Sequence, residues 1–207
     1  MSFEVDVILR RGEADVAVCF SGTAGITALF GRSGAGKTSV LDMLAGLVRP
    51  DKGRIVVSGQ VLFDSALGIN LPPEARGCGY VFQDHRLFPH LSVEGNLLYG
   101  WRRAHPDQRW ITLEETCAFL GIGHLLARRP RHLSGGEAQR VAIARALMAG
   151  ARFLVMDEPL SSLDAARREE IMGLIERIRD DLRLPILYVS HDRAEVDRLA
   201  SMVVQVG

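Results

Sequence analysis

The chain has 207 residues, of which 47% are hydrophobic, and this suits one globular domain with a substantial core. Its 25 Lys and Arg residues balance its 25 Asp and Glu residues, so it lacks the charge excess that is typical of proteins that bind nucleic acid or anionic lipid. Cys19, Cys78 and Cys117 form no C-x-x-C pair, which argues against a disulfide or zinc framework and favours the cytoplasm. No apolar run approaches the ~18 residues of a membrane span, so we expect any membrane association to be peripheral.

Short apolar runs bounded by glycine and polar residues predict strands in the first part of the chain. The first two runs are joined by a polar turn at 11–15, and the fourth and fifth flank Ser58-Gly59-Gln60 as a hairpin. The predicted strands are 3–9, 16–20, 26–30, 54–57, 61–63 and 79–82.

The pattern changes to helical spacing in the middle of the chain, where 93–99 and 113–120 are the predicted helices. We predict a helical subdomain at about 84–145, inserted in the sheet. The helix-breaking residues within it are Gly100, Pro106, Gly121 and Pro130.

Strand and helix alternate in the last part of the chain. The runs 153–156 and 186–189 are continuously apolar, as in strands that are buried on both faces, and 202–206 is a final strand. A helix with an apolar stripe over 171–182 lies between the first two. This alternation predicts an α/β fold with a mostly parallel sheet.

Residues 31–38 fit the pattern G-x-x-x-x-G-K-[ST], and they lie between a predicted strand and a predicted helix. In that context backbone N–H groups and the helix N-terminus bind phosphate. We expect Lys37 to contact β- and γ-phosphates and the Thr38 hydroxyl to ligate Mg²⁺. The alternative is a turn that only starts a helix, but a turn has no need of Lys-Thr at this offset. The candidate phosphate-binding residues are Gly31, Arg32, Ser33, Gly34, Ala35, Gly36, Lys37, Thr38 and Ser39.

Two carboxylates, Asp157 and Glu158, follow the apolar run 153–156. Next to a phosphate loop, the first acid after such a strand commonly reaches Mg²⁺, and the second can polarise a water that attacks the γ-phosphate. The alternative is a polar strand terminus.

A third motif, Leu133-Ser134-Gly135-Gly136-Glu137, contains an S-x-x-E capping box that begins a helix. Two glycines in a first helical turn cost roughly 1 kcal/mol each relative to alanine. Their expected use is to expose backbone N–H groups to a phosphate, in addition to the structural role of the cap.

With Gln83, Ser161-Ser162-Leu163-Asp164 and His191, these motifs occur in the order found in the ATP-binding subunits of ABC transporters, which the whole chain resembles. The resemblance implies a P-loop NTPase fold of the ABC ATPase type as a single domain over 1–207. This fold has a mostly parallel core sheet, an antiparallel β subdomain and the inserted helical subdomain.

The resemblance also implies roles for single residues. Gln83 ligates Mg²⁺ together with Thr38 and Asp157, and it senses the permease. Glu158 is the general base, and His191 contacts the γ-phosphate. Two copies pair head to tail across ATP, so that Ser134, Gly135, Gly136 and Asp164 of one copy meet the nucleotide of the other. Each of three residues, considered singly, also has a purely structural interpretation. Gln83 is then a loop amide, Asp164 a helix N-cap and His191 a histidine at the end of a strand.

Several segments are similar to the molybdate-type importer ATPase, namely 61–64, 69–74, 77–84 and 94–100. The implied partners are a second copy, integral membrane permease subunits and, indirectly, a periplasmic binding protein, with no nucleic acid. The implied place is the cytoplasmic face of the inner membrane. Within 84–93, Phe88, Pro89 and Leu91 either line the groove for a permease helix or pack inside the helical subdomain.

The chain departs from the family pattern in three ways. Glu137 replaces the usual glutamine, and no Tyr or Trp precedes Gly31 to stack on adenine, which leaves Phe3 and Phe20 as candidates. The chain stops at Gly207, so we expect no C-terminal regulatory domain, either because the chain is truncated or because this form lacks that control. The competing functions are an importer ATPase for another solute, a soluble ABC ATPase acting on nucleic acid or ribosomes, and a P-loop kinase.

Overall fold

Two five-stranded sheets, one parallel and one antiparallel, form the framework of the computed structural model, which describes residues 3–11, 14–22 and 25–206. The predicted turn at 11–15 lies partly outside the described residues. The strands are β1 (Phe3–Arg11), β2 (Ala14–Gly22), β3 (Ile26–Phe30), β4 (Lys52–Val57), β5 (Gln60–Asp64), β6 (Ile69–Asn70), β7 (Cys78–Val81), β8 (Phe153–Asp157), β9 (Ile186–Val189) and β10 (Met202–Gln205). The helices are α1 (Lys37–Ala45), α2 (Val93–Trp101), α3 (Leu113–Leu120), α4 (Gly135–Met148), α5 (Ala165–Asp181) and α6 (Arg193–Leu199).

The parallel sheet has the strand order β10-β3-β9-β8-β7. Every residue of β8 and β9 is buried, as their continuous apolar sequences predict for strands covered on both faces. All four strand pairings in this sheet are parallel. The predicted α/β fold with a parallel core sheet is therefore confirmed.

The antiparallel sheet has the order β2-β1-β4-β5-β6. Along β1, alternate side chains at Phe3, Val5, Val7 and Leu9 are buried, which is the period-two pattern of a sheet with one covered face. The predicted hairpin is present as β4 and β5, with Val57 paired to Gln60.

Two hydrophobic clusters lie on opposite faces of the parallel sheet. Phe153 and Val155 of β8 pack in one cluster with α1 and the antiparallel sheet, where Phe3 meets Phe153 edge to face with ring centroids 5.8 Å apart. Leu154 and Met156 pack in the other cluster with residues of α2 to α5. Successive side chains of β8 point to opposite faces of the parallel sheet, so both hydrophobic clusters pack against this one strand.

The helices α2, α3 and α4 lie between β7 and β8 in the sequence, and each begins at a side-chain cap. Ser92 caps α2, while Thr112 and Ser134 form capping boxes at the starts of α3 and α4. The predicted helix 113–120 matches α3, and the predicted helix 93–99 extends two residues further as α2.

Arg76 is buried, with 1% of its surface exposed, and ties the end of α1 to the segment that follows β6. Its guanidinium donates hydrogen bonds to the carbonyl oxygens of Met43 (2.6 Å), Leu44 (3.1 Å) and Leu71 (2.8 Å). A fourth hydrogen bond reaches Asn70 Oδ1 at 2.8 Å. Burial lowers the pKa of the Arg76 guanidinium, whose ordinary pKa is high enough that it stays charged. This cation donates to the carbonyl oxygen of Leu44 and gives a second donor to that of Met43, which also accepts the N–H of Gly46.

Replacing Arg76 by methionine should therefore lower the free energy of unfolding by about 3 kcal/mol, because buried carbonyl groups lose charged donors. The measurement is urea denaturation followed by circular dichroism. Arg193→Met is the control, since the Arg193 and Asp197 side chains of its ion pair are 65% and 55% exposed, and such surface pairs contribute less than about 1 kcal/mol. Equal losses for the two variants would contradict the role given to Arg76.

Candidate active site

The loop between β3 and α1 depends on glycine for its shape. Gly36 has φ 90° and precedes the first residue of α1. A Cβ at Gly36 would lie 2.6 Å from Val16 Cγ2, and a Cβ at Gly31 would collide with the carbonyl oxygen of Val206. Glycine is required at both places, by the left-handed backbone at Gly36 and by close approach at Gly31.

Lys37 begins α1, and its ammonium group lies within the loop. Nζ donates to the carbonyl oxygens of Gly31 at 2.9 Å and Arg32 at 2.8 Å. A lysine ammonium group has three donors, so two N–H groups hold the loop and the third remains for a ligand. The side chain is buried, with Lys37 6% exposed, which strengthens its interaction with an anion.

A cavity of about 420 Å³ opens above this loop. Its walls combine the loop, the start of α1, the acidic end of β8 and the end of β9. The lining residues are Ser33, Gly34, Gly36, Lys37, Thr38, Ser39, Gln83, Asp157, Glu158 and Val189. The structure thus brings together nine of the predicted phosphate-binding, metal-binding and catalytic residues, with Val189 completing the wall. A ligand with several anionic oxygens fits this combination of backbone N–H groups, a helix N-terminus and a buried ammonium group.

The oxygen ligands predicted for a cation lie at one side of this cavity. Thr38, Gln83 and Asp157 line it and also line the adjacent cleft of about 570 Å³. Hydroxyl, amide and carboxylate oxygens suit Mg²⁺, which commonly takes one or two carboxylates and completes its shell with phosphates and water. Burial raises the pKa of the Asp157 carboxyl, the Thr38 hydroxyl acts in the opposite direction, and the neighbouring charge of Glu158 raises it further. A bound cation would favour the ionised carboxylate.

Glu158 lines the cavity and forms a close pair with His191, which is not among the described residues that line it. Nδ1 of His191 lies 3.1 Å from Oε2 of Glu158. Glu158 has φ 43°, a left-handed backbone that costs a non-glycine residue roughly 1 kcal/mol or more. Its backbone N–H donates to Val189 on the neighbouring strand at 3.0 Å, which holds this conformation. A carboxylate held in this way can accept a proton from a water in the cavity.

Gln83 is connected to Glu158 through Ser161, which the sequence analysis included in the segment 161–164 without assigning it a role. The Gln83 amide nitrogen donates to the Ser161 hydroxyl at 3.3 Å, and this hydroxyl donates to the Glu158 carbonyl oxygen at 3.0 Å. The amide nitrogen is thereby engaged, which leaves the amide oxygen available to a cation. The available signal was the serine three residues after Glu158, at the spacing of a turn.

Ser134 caps α4 as its sequence predicts. Its hydroxyl accepts the N–H of Glu137 at 3.3 Å, and its own N–H donates to Glu137 Oε2 at 2.7 Å. The second hydrogen bond lowers the pKa of the Glu137 carboxyl. Glutamate in place of the usual glutamine thus completes the capping box, and Gly135 and Gly136 form the first two positions of α4.

Asp164 is a helix N-cap in this structure. Its carboxylate accepts the N–H of Arg167 at 3.0 Å and pairs with the Arg167 guanidinium at 2.9 Å. The start of α4 lies beside this segment, since a Cβ at Gly136 would meet the Arg167 side chain at 3.3 Å. Among the described residues that line the phosphate cavity, none comes from 133–137 or 164. The predicted site residues therefore form two separate groups on one chain.

Phe3 and Phe20 are not available to stack on a base. Phe3 is fully buried at 0% exposure, and Phe20 is 6% exposed. Both belong to the core between the antiparallel sheet and α1. The expectation that one of them replaces the missing aromatic residue is wrong, because the alternating pattern of β1 and β2 turns both rings inward.

An apolar cleft of about 360 Å³ lies between β7, the segment after it, and the helices α2 and α4. Phe88 lines this cleft, whereas Pro89 and Leu91 are not among the described residues that do. The lining residues are Cys78, Gly79, Tyr80, Phe82, Arg86, Phe88, Tyr99, Gly100, Arg145, Ala146 and Ala149. In the described part of the chain, no helix has the length and apolar character to cross a membrane.

Comparison with known proteins agrees with this arrangement. The molybdenum import ATP-binding protein ModC of Rhodospirillum rubrum is 54% identical over 204 residues, which are 99% of this chain and 55% of that protein. ModC of Paramagnetospirillum magneticum is 56% identical over 197 residues, which are 95% of this chain and 54% of that protein. This chain therefore spans about half the length of these relatives.

Solved structures share the fold. The dimeric ATP-binding cassette MJ0796, in a post-hydrolysis state bound to ADP and Pi, aligns with a TM-score of 0.77 at 24% identity, over 100% of this chain and 94% of that one. A second dimeric structure of MJ0796, a bacterial ABC transporter cassette, aligns with a TM-score of 0.76 at 23% identity. The predicted ABC ATPase fold is thus confirmed.

The family model described as ABC transporter matches residues 21–161, from the end of β2 to the residue that contacts Gln83. By its fold, its motifs and this match, the chain belongs to the ABC transporter family.

Proposed function

We propose that this chain binds and hydrolyses ATP and powers a membrane importer for molybdate or a related oxyanion. The observation that carries the proposal is the convergence of Lys37, Thr38, Asp157 and Glu158 on one cavity beside a glycine loop. The relatives that are named as molybdenum import ATP-binding proteins support the oxyanion, and the alternative is an importer ATPase for another solute.

The phosphate groups of ATP are held by the loop N–H groups, by the start of α1 and by the free donor of Lys37. Thr38, Asp157 and Gln83 would hold Mg²⁺, which neutralises charge on the phosphate oxygens when it is bound. Glu158 accepts the proton of the attacking water, and His191 orients the Glu158 carboxylate and reaches toward the γ-phosphate. The hydrogen bond from Gln83 to Ser161 ties the metal ligand to the backbone of the base.

A second copy of the chain completes the site in this proposal. The start of α4, with Ser134, Gly135 and Gly136, has the cap and the bare N–H groups of an anion site, yet it lies outside the cavity of its own chain. A head-to-tail pair brings this helix and Asp164 of one copy to the nucleotide of the other. One chain alone is then catalytically incomplete.

The other proposed partners follow from the importer assignment. A permease subunit docks at the apolar cleft that Phe88 lines, close to Gln83, and a periplasmic binding protein acts indirectly through the permease. The proposed place is the cytoplasmic face of the inner membrane. The balanced charge of the chain weighs against a nucleic-acid partner.

Glu158→Gln should lower the ATP hydrolysis rate roughly 100-fold or more, because the amide cannot accept a proton from water. ATP binding persists, and the ATP-loaded dimer accumulates and is detected by size-exclusion chromatography. Glu170→Gln is the control, since Glu170 lies on α5 with a side chain that is 61% exposed. Hydrolysis at the parental rate in Glu158→Gln would exclude Glu158 as the base.

Lys37→Ala should weaken ATP binding roughly tenfold or more, because a buried charged donor to phosphate is lost. Titration of a fluorescent ATP analogue measures this affinity. The chain offers a matched control in Lys52→Ala, which removes its second lysine at an exposed position in β4. Unchanged affinity in Lys37→Ala refutes the role proposed for its ammonium group.

Hydrolysis per chain should fall on dilution, because each site needs residues of two copies. Mixing Lys37→Ala with Ser134→Arg should restore part of the activity that each variant lacks alone, since the mixed dimer contains one intact composite site. A steady-state phosphate-release assay measures both effects. Full turnover by a strictly monomeric chain, or no recovery on mixing, argues for a site within one chain.

A further inference from the structure

The loop between β9 and α6 carries His191 on a short and exposed segment. The His191 side chain is 63% exposed, so packing contributes little to its position. Its Nδ1 nevertheless lies 3.1 Å from the Glu158 carboxylate. The position of His191 must therefore be fixed by the backbone on either side of it, since side-chain packing contributes little.

Ser190 supplies two hydrogen bonds at this point. The residue is 3% exposed, and its hydroxyl donates to Glu195 Oε2 at 2.7 Å. The same hydroxyl accepts the backbone N–H of Asp192 at 3.0 Å. These bonds join the residue before His191 to the residue after it, and they anchor both to α6.

Glu195 is the buried end of this network, with 5% of its surface exposed. Its Oε2 also accepts the Tyr188 hydroxyl at 2.9 Å. Burial raises the pKa of the Tyr188 phenol, with the Glu195 charge adding to the effect, so Tyr188 remains a neutral donor. A buried carboxylate is costly unless hydrogen bonds and a counter-charge compensate it, and here two hydroxyl groups do so directly.

Arg168 of α5 provides the counter-charge. Its Nε lies 3.7 Å from Glu195 Oε1, and its Nη1 donates to Asp192 Oδ2 at 3.2 Å. Arg168 follows the N-cap Asp164 by one helical turn, with its backbone N–H bonded to the Asp164 carbonyl oxygen at 2.9 Å. The network thus connects the histidine loop to the helix that begins at Asp164.

We propose that Ser190 and Glu195 are positioning residues that fix His191 against Glu158 during hydrolysis. The inference rests on the proposed ATPase function. Neither residue is among the described residues that line the phosphate cavity, so their effect on the reaction passes through His191. Loss of the network should lower kcat and leave the KM for ATP nearly unchanged.

The test compares Ser190→Ala with Tyr188→Phe. Each variant removes one buried hydroxyl that donates to Glu195 Oε2, but only Ser190 also holds the N–H of Asp192. We expect Ser190→Ala to lower kcat roughly tenfold with KM within about twofold, and Tyr188→Phe to retain a kcat near the parental value. Ser190→Thr, which keeps the hydroxyl, should recover most of the lost kcat.

A double-mutant cycle shows whether the effect passes through His191. In a His191→Ala background, Ser190→Ala should cause no further loss of kcat. Equal losses in Ser190→Ala and Tyr188→Phe, or an undiminished effect of Ser190→Ala in the His191→Ala background, overturn the proposal. Amide hydrogen exchange in the parental chain tests the same bond without a substitution, since the N–H of Asp192 must be protected, and rapid exchange there overturns the proposal as well.

The controls separate this proposal from the proposed function. A parental chain without ATPase activity refutes the function itself. A parental chain that hydrolyses ATP and loses activity in His191→Ala, but not in Ser190→Ala, refutes only the positioning role.

Discussion

The site depends on one constraint, which is that β3, β9 and β8 are adjacent and parallel. Parallel strands end at the same edge of a sheet, so the segments that follow these three strands meet there. The phosphate loop follows β3, His191 follows β9 and Glu158 follows β8. Lys37 and Glu158, which are more than a hundred positions apart in sequence, line one cavity because the sheet sets their spacing. The distance from His191 to Glu158 is a consequence of strand order.

Buried charges recur around this edge, and each is compensated by hydrogen bonds to neighbouring groups. Lys37 is bonded to carbonyl oxygens of its own loop, and Glu195 accepts hydroxyl groups from β9 and from the loop that follows it. At the other end of α1, the buried charge of Arg76 is likewise compensated by hydrogen bonds to the carbonyl oxygens of Met43 and Leu44. An uncompensated charge in any of these places would destabilise the fold by several kcal/mol, so these contacts also fix the geometry. Stability and positioning of the site therefore rest on the same hydrogen bonds.

The arrangement also explains why the motifs of one chain fall into two groups. Ser134 and Asp164 cap helices that begin next to each other, away from the cavity that contains Lys37 and Glu158. The start of α4, with its cap and two glycines, presents backbone N–H groups that a ligand can use. Its residues are not among the described residues that line the phosphate cavity of the same chain. The strained backbone of Glu158 belongs to the opposite group, where its cost is balanced by the bond to Val189. The head-to-tail dimer that we propose would use both groups.

The sequence by itself determined the local features of the protein. The phosphate loop, the strands other than β6, the capping box at Ser134 and α3 follow from residue spacing over fewer than about 20 positions, where backbone periodicity and turn chemistry act. Only the tertiary structure decided the pairing of His191 with Glu158, the burial of Phe3 and Phe20, and the network of Ser190 and Glu195. These features depend on which strands are neighbours and on what covers each face, and such long-range contacts are not encoded in any single local pattern.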